Sequence, residues 1–194
     1  DWLMVYPKAS RNYFRTIAAL NDFAGPRDKV KSCYCDNEAT LLKAARRLGW
    51  RSSTSPVGIP QSSGVVERCV RMIKEGVRAL LLQSGLPATF WAYAAQCYCH
   101  AHNTVLREGE SAWNNLHKAR HFAGHQIPFG ALVSFMPQPD ATKAKPAFDS
   151  RTNWGIFLDY KLAPGGIWRG KYILADLPPL KANIDSKPFG TKTH

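Results

Sequence analysis

Two acidic segments separated by a loop constrain the fold of this chain more than any other feature. A strand-like run, Val30 to Cys35, ends in Asp36-Asn37. A Pro-Gln-Ser-Ser-Gly loop at residues 60–64 then delivers Glu67 onto a stretch with helical periodicity. In open α/β sheets, sites are built where strands end and helices begin. The alternation of strand and helix patterns predicts a mixed α/β layer fold, in which Asp36 marks a candidate site at the end of a strand.

The helix predicted over residues 65–83 carries one charged stripe and one apolar stripe. At about 100° per residue, the charged stripe covers a narrow arc and consists of Glu67, Arg71, Lys74 and Arg78. The apolar stripe, about a quarter turn away, consists of Val66, Val70, Ile73 and Val77. Glu67 then allows two interpretations. It is either a surface side chain paired with Arg71, worth ~0.2–0.5 kcal/mol, or a metal ligand that heads a DNA-contacting ridge.

Asp36 also allows two interpretations. Aspartate and asparagine turn chains and cap helices, so Asp36 needs no chemical role when it is considered alone. Carboxylates close in space are also what phosphodiester chemistry requires, because divalent cations stabilise the attacking and leaving oxygens. Mg²⁺ prefers carboxylates, water and phosphate oxygens as ligands. Asp36 and Glu67 together therefore predict a metal site that faces a phosphate backbone.

The charge balance favours a polyanionic partner. The chain has 26 Lys and Arg against 14 Asp and Glu, a net charge of +12. Such an excess is typical of proteins that bind nucleic acids, although a basic surface that is merely solvated is the alternative. No apolar run approaches the ~18 residues of a membrane span, so no membrane partner is expected.

The five cysteines favour free thiols in a reducing compartment, because an odd count argues against a disulfide scaffold. The segment Cys97-Tyr98-Cys99-His100-Ala101-His102 allows a zinc cluster as an alternative. Its spacing matches neither a paired C-x2-C nor an H-x3-H arrangement. We therefore expect buried cysteines on a helix.

Strand and helix patterns alternate at first, and β-like runs follow after about residue 125. We expect strands at 2–6, 30–35 and 50–54, and helices at 10–23 with Ser10 as the N-cap, 39–48, 65–83, 87–103 and after Ser111. Later β-like runs at 132–136, 154–158 and 171–174 indicate a small barrel or sheet. A flexible loop is expected at 137–146, and a flexible tail at 181–194.

The motifs and their order resemble the integrases of copia-type retrotransposons. That family reads Asp-Asn, Thr/Ser-Pro, Pro-Gln-x-Asn-Gly-x-x-Glu-Arg and Ser-Gly-Leu-Pro-x-x-Phe-Trp. The matching positions are Asp36-Asn37, Ser55-Pro56, Pro60-Gln61-Ser62-Ser63-Gly64, Glu67-Arg68 and Ser84-Gly85-Leu86-Pro87-Ala88-Thr89-Phe90-Trp91. Residues 127–131 and 155–160 are similar to the SH3-like domain that follows this core, with Asp159 in place of a glycine.

The resemblance implies an α/β fold in two parts. A ribonuclease-H-like integrase core, with a mixed sheet and flanking helices, is expected at residues 1–118. A small C-terminal SH3-like β domain is expected at 127–180. Asp36 and Glu67 would be the second and third acids of an Asp-Asp-Glu triad that holds Mg²⁺ or Mn²⁺. The first aspartate is expected upstream of Trp2.

The resemblance also implies an activity and partners. The parent protein would process the 3′ ends of element cDNA and transfer them into target DNA. It would act as a homo-oligomer in the nucleus and in cytoplasmic virus-like particles. The residues expected to contact DNA are Gln61, Ser62, Ser63, Arg68, Arg71, Lys74 and Arg78. Two alternatives remain: a catalytically dead, domesticated or degenerate nucleic-acid-binding or interaction domain, and another ribonuclease-H-like nuclease.

Overall fold

The mixed α/β class expected from the sequence is confirmed, with two small sheets. A computed structural model of the chain describes residues 2–10, 12–26, 29–54, 64–118, 121–137, 151–177 and 191–193. The helices are α1 Tyr13–Ala24, α2 Ala39–Arg47, α3 Gly64–Ser84, α4 Trp91–Thr104 and α5 Ala112–His117, with a 3-10 turn at Ala88–Phe90. The strands are β1 Ser32–Cys35, β2 Arg51–Thr54, β3 Leu132–Phe135, β4 Asn153–Ala163, β5 Ile167–Asp176 and β6 Thr191–Thr193. None of the helices among the described residues is long and apolar enough to cross a bilayer.

The chain divides into two compact units. Unit 1 comprises Asp1–Leu3, Val77–Lys161 and Gly170–His194. Unit 2 comprises Met4–Gly76 and Leu162–Arg169. Each unit contains one of the two sheets: β1 and β2 lie in unit 2, whereas β3 to β6 form a four-stranded sheet in that order, mainly within unit 1.

Unit 2 is built on a parallel β-α-β connection. The strands β1 and β2 pair in parallel, with Ser32 opposite Arg51 and Cys35 opposite Thr54. Parallel strands need a crossover, and α2 supplies it. Ala44 and Ala45 of α2 are fully buried, because their small side chains allow the helix backbone to approach its neighbours closely.

The ends of α1 correct one prediction and explain a close contact. The N-cap is Asn12, not Ser10: the Asn12 side chain accepts a hydrogen bond from the Phe14 N–H at 2.9 Å. Asparagine is as good a cap as serine, and it lies next to the first helical turn. At the other end, Gly25 has φ +66° and a Cβ there would lie 2.5 Å from Gly165 Cα, so only glycine fits.

The core of unit 1 is aromatic and gathers around Tyr160 of β4. The ring of His100, on α4, stacks on Tyr160 with centroids 3.8 Å apart, and Phe157 meets Tyr160 edge-on at 5.1 Å. The Tyr160 hydroxyl accepts a hydrogen bond from the Ile127 N–H and donates one to the His125 carbonyl, each at 2.8 Å. Tyr160 thereby fixes the segment that leads into β3.

The strand predicted at residues 2–6 is wrong. A strand requires a neighbouring strand that takes its backbone hydrogen bonds, and residues 2–6 form none of the described strands. The side chain of Asn103 on α4, instead of a neighbouring strand, makes the backbone hydrogen bonds of Leu3. It accepts from the Leu3 N–H at 2.9 Å and donates to the Leu3 carbonyl at 2.7 Å. Leu3 is therefore held by a helix side chain rather than by a sheet.

Most of the other helices and strands lie close to the bounds predicted from the sequence. The helices predicted at 39–48, 65–83 and 87–103 are confirmed as α2, α3 and α4, and Ser111 caps α5 by accepting from the Asn114 N–H at 3.1 Å. The three later β runs are confirmed as β3, β4 and β5, of which β4 and β5 are longer than expected. Within the expected flexible tail, Thr191–Thr193 forms β6 and pairs with β5. Residues 181–190 of that tail lie outside the described residues. Most residues of the expected loop at 137–146 also lie outside them.

Replacing Asn103 by alanine is expected to lower the free energy of unfolding by about 1–3 kcal/mol, because the substitution leaves the N–H and C=O of Leu3 without their partners. Urea denaturation of the purified chain measures this change. The matched control is Asn115→Ala on α5, whose side chain is exposed and whose loss should cost less than about 0.5 kcal/mol. Equal effects of the two substitutions would contradict the assigned role of Asn103.

Candidate functional site

Asp36 lies where the sequence places it, directly after β1. Cys35, the last strand residue, is buried, whereas Asp36 is exposed. Its Oδ1 accepts a hydrogen bond from the Asn37 N–H at 2.7 Å, and its carbonyl accepts from the Glu38 N–H at 2.7 Å. The N-cap of α2 is Glu38, which makes no side-chain capping bond. Asp36 therefore turns the chain and does not cap α2, and its carboxylate faces solvent at a strand end.

Glu67 lies in the first turn of α3 and is exposed. The positive end of a helix dipole stabilises an acid in this position by about 0.3–1 kcal/mol, which is a sufficient structural reason for a glutamate there. Asp36 and Glu67 belong to the same compact unit. They sit at a strand end and at a helix start, as predicted. Gln61, Ser62 and Ser63, expected to contact DNA, lie outside the described residues.

The donor chemistry of this pair fits a hard divalent cation, since carboxylate oxygens are the ligands Mg²⁺ prefers. Two carboxylates, however, do not by themselves fill the coordination shell of such an ion. Among the described residues, no group of three or more His, Cys, Asp or Glu side chains comes together in a way that could hold a metal ion. A metal at Asp36 and Glu67 would therefore need water, phosphate or a further acid to complete its coordination.

The cations of α3 form an exposed ridge, which here denotes Arg71, Lys74 and Arg78. They share a helix face with Glu67 because they follow it at intervals of three and four residues. Arg68 is also exposed. No residue of α3 is buried, and Val66 and Val70 are 54% and 44% exposed. The apolar stripe is thus open to solvent in the first half of the helix.

A second polar cluster, buried in unit 1, lies between α4 and β4. Cys97, Cys99 and His100 of α4 are buried, as is Asp159 of β4. This confirms the expectation of buried helix cysteines, and all five cysteines of the chain are free thiols. After burial, the nearby Asp159 carboxyl is the second cause of the raised pKa values of Cys97 and Cys99, so the three groups are neighbours.

Burial sets the protonation of this cluster. Loss of hydration raises the pKa of Asp159 to about 8, and a hydrogen bond from the Tyr160 backbone only partly opposes that rise. Burial also raises the pKa of Cys99 to about 12 and lowers the pKa of His100 to about 4. At neutral pH the cluster is therefore uncharged: a carboxylic acid, thiols and a neutral imidazole.

Asp159 is visible in the sequence only as a departure from the family pattern, where a glycine is usual. Nothing in the local sequence signals that its carboxyl is buried, because charged residues are almost never buried unless they are paired. The two cysteines beside it, Cys97 and Cys99, come from a segment about sixty residues earlier in the chain. Only the fold brings the two segments together.

Comparison with known proteins indicates the origin of the chain. No protein-family model matches it. It is similar to the "Retrovirus-related Pol polyprotein from transposon TNT 1-94" of Nicotiana tabacum, with 42% identity over 119 residues. The match covers 58% of this chain and 8% of the length of the tobacco polyprotein. This likeness supports an origin in a copia-type Pol polyprotein.

The buried acid predicts an unusual dependence of stability on pH. The folded-state pKa of Asp159 lies above the ordinary value of about 3.9, so its contribution is full below pH ~4 and is lost as the pH rises towards 8. His100 and His102 have lowered pKa values, so their contribution to stability increases as the pH rises towards ~6.5. From pH 6.5 to 8, Asp159 therefore dominates, and stability should fall by up to about 1.4 kcal/mol per pH unit.

Denaturation of the wild type and of Asp159→Asn between pH 5 and 8 measures this effect. The variant keeps the side-chain shape but cannot ionise, so its stability should be nearly flat between pH 6.5 and 8. Below pH ~6.5 it should gain stability as the pH rises, because only the histidines then contribute. Parallel curves for the two proteins above pH 6.5 would contradict a protonated Asp159.

Proposed function

We propose that this chain is part of a copia-type integrase and that it binds DNA beside a carboxylate metal site. The observation that carries the proposal is the arrangement in unit 2. An exposed Asp36 ends β1, and an exposed Glu67 occupies the first turn of the cationic helix α3. The likeness to a retrotransposon Pol polyprotein supports it independently.

The proposed division assigns residues 1–118 to a ribonuclease-H-like core and 127–180 to an SH3-like domain. The parallel β1-α2-β2 connection supports the first assignment, because such a connection is a building block of α/β cores. The second is supported by an antiparallel sheet that is hydrogen-bonded separately from β1 and β2. The parent protein would process cDNA ends and join them to target DNA as a homo-oligomer, inside the cell.

Asp36 and Glu67 would hold Mg²⁺ or Mn²⁺, which when bound stabilises the attacking and leaving oxygens of a phosphodiester. The other roles belong to the chain itself. Arg71, Lys74 and Arg78 would neutralise phosphates along one helix face and so set the position of the DNA relative to Glu67. Arg68 would contact phosphates or bases, and the loop residues Gln61, Ser62 and Ser63 would lie against the DNA end.

A nucleic-acid-binding domain without catalysis is the second candidate. The observation that favours it is the lack, among the described residues, of any three-donor group able to hold a metal. The exposed cations of α3 would serve this function equally well. Another ribonuclease-H-like nuclease is the third candidate, and it would share the carboxylate site. A measurement of metal binding distinguishes the non-catalytic nucleic-acid-binding domain from the two candidate enzymes.

The ridge predicts a strong salt dependence of DNA binding. Each phosphate neutralised on duplex DNA contributes about −0.9 to the slope of log affinity against log salt. The triple substitution of Arg71, Lys74 and Arg78 by alanine should flatten that slope by up to ~2–3 units. The helix should persist, because alanine is the best helix former. Fluorescence anisotropy with a 20-base-pair duplex, titrated between 50 and 200 mM salt, measures the slope.

The matched control removes the same charge elsewhere. Lys8, Arg107 and Lys161 are exposed and lie outside the proposed contacts. Their triple alanine variant lowers the net charge equally and should leave the slope within about half a unit. An unchanged slope in the ridge variant, with its circular dichroism intact, would leave the ridge without a role in DNA binding.

The carboxylate pair predicts stabilisation by Mg²⁺. A ligand that binds only the folded state adds RT ln(1 + [L]/Kd), or about 2.7 kcal/mol at one hundred times Kd. Mg²⁺ should therefore raise the Tm of the wild type. Asp36→Asn and Glu67→Gln should each abolish the shift, and the amide oxygen introduced by the first substitution can still accept from the Asn37 N–H. Glu75→Gln, at an exposed acid on the same helix, is the control that should keep the shift.

The pattern of shifts separates the candidates. If the Tm of the wild type rises and both site variants fail to respond, the metal site is supported. If Mg²⁺ has the same effect on all four proteins, the catalytic proposal is rejected and the non-catalytic binder stands. The measurement is differential scanning calorimetry at constant ionic strength, so that screening of surface charge does not imitate binding.

A further inference from the structure

A second group of cations lies at the end of the β1-α2-β2 connection opposite Asp36. Lys31 directly precedes β1, and Arg51 is the first residue of β2. The Arg51 N–H donates to the Lys31 carbonyl at 3.2 Å, so the two residues are neighbours across the sheet. Both are exposed. Because β1 and β2 are parallel, their starts share one edge and their ends share the other.

Three more cations lie on α2: Arg46 and Arg47 are in its last turn, at the same edge, and Lys43 lies one turn earlier, at the middle of the helix. Lys43, Arg46 and Arg47 are exposed and lie on one helix face, at spacings of three and four residues. The helix ends directly beside the start of β2, since the Trp50 N–H donates to the Ala45 carbonyl at 3.0 Å. We call these five residues, Lys31, Lys43, Arg46, Arg47 and Arg51, the basic edge.

Helix electrostatics account for only part of the basic edge. Arg46 and Arg47 lie in the last turn of α2, where cations are stabilised by about 0.3–1 kcal/mol. That effect falls off within one turn and does not extend to Lys31 or Arg51 on the strands. Like charges at i,i+4 cost ~0.2–0.5 kcal/mol, and β1, α2 and β2 contain no acid to relieve them. A polyanion would relieve this repulsion.

The surroundings of the basic edge select among polyanions. Binding to an anionic membrane is strengthened by exposed apolar side chains that insert among the lipids, and Leu41 and Leu42 of α2 are only partly exposed. Single-stranded nucleic acid is usually held by several exposed aromatic rings that stack on successive bases. Trp50 beside the edge is half-buried, and the one exposed ring of β1, Tyr34, lies three residues beyond Lys31, towards the other end of the strand. Long exposed Lys and Arg side chains in such surroundings suit the backbone of a duplex.

We infer that the basic edge binds the phosphate backbone of duplex DNA, as a contact separate from both Asp36 and the ridge on α3. Lys31 and Asp36 are five residues apart along β1, or roughly 16 Å at ~3.3 Å per residue. A phosphate held at the basic edge therefore does not reach the Asp36 carboxylate. The inference goes beyond the proposed function, because it requires only exposed charge and no catalysis.

The test replaces Lys43, Arg46 and Arg47 together by glutamine, which removes three charges with little change in helix propensity. The slope of log affinity against log salt for a 20-base-pair DNA duplex should flatten by up to ~2–3 units. A second variant, Lys31→Gln with Arg51→Gln, leaves α2 intact and should flatten the slope by up to ~2 units. The charge-matched control replaces Lys8, Arg107 and Lys161 by glutamine and should leave the slope unchanged.

Each outcome decides the inference. An unchanged DNA slope in either folded variant overturns it, and so does an equal loss in the charge-matched control. Loss of binding to phosphatidylserine vesicles or to single-stranded DNA without loss of duplex binding also overturns it. The Mg²⁺-dependent rise in Tm should persist in both variants. Loss of that rise together with the DNA slope would mean that the edge acts through the metal site, which contradicts a separate contact.

The ridge on α3 and the basic edge are tested by separate variants, so either proposed DNA contact can be rejected without the other. If the ridge variant binds DNA normally while the edge variants do not, the proposed role of α3 fails and the inference stands. If only the ridge variant is impaired, the inference fails and the proposed function stands. Duplex RNA of the same length tests whether the edge distinguishes DNA. Weaker binding of the edge variants to RNA alone would overturn the assignment to DNA.

Discussion

The parallel pairing of β1 with β2 is the constraint on which the rest of unit 2 depends. Parallel strands that are close in sequence need a crossover on one face of the sheet, and α2 makes it by burying Ala44 and Ala45 completely. Larger side chains at these two positions would not fit among the elements that cover α2. This single arrangement directs Asp36 to one end of the strands, and Lys31 and Arg51 to the other. The acidic and basic surfaces of the unit are consequences of strand direction.

The same physics shows why much of the fold can be predicted. The helix α3 follows from an apolar period and from Ser84-Gly85 as its stop signal, and its predicted bounds differ from Gly64–Ser84 by one residue at each end. Ser111 is identifiable as a cap because its side-chain oxygen can accept from a free N–H in the first helical turn; the same rule chose Ser10 for α1, where Asn12, two residues later, is the cap. These signals are local, so the sequence carries them without knowledge of the tertiary structure.

The errors arise where distant residues decide the outcome. The segment at residues 2–6 has the apolar character of a strand, but the amide of Asn103, one hundred residues later, takes the hydrogen bonds of Leu3. The apolar stripe of α3 exists as a pattern, although Val66 and Val70 remain exposed. Periodicity shows which residues share a face and does not show whether that face is covered. Likewise, sequence alone places Asp36 and Glu67 at a strand end and a helix start, without the distance between them.

Crystallography in the presence of Mn²⁺ tests whether Asp36 and Glu67 form one metal site. Anomalous diffraction locates the manganese without any assumption about its ligands. One peak is expected within direct or water-mediated reach of both carboxylates, at direct metal–oxygen distances close to the ~2.0–2.1 Å typical of Mg²⁺. A shared metal site would be contradicted if the two carboxylates lay more than about 10 Å apart, a distance far beyond metal coordination. Side chains that point to opposite faces of the sheet would also contradict a shared site.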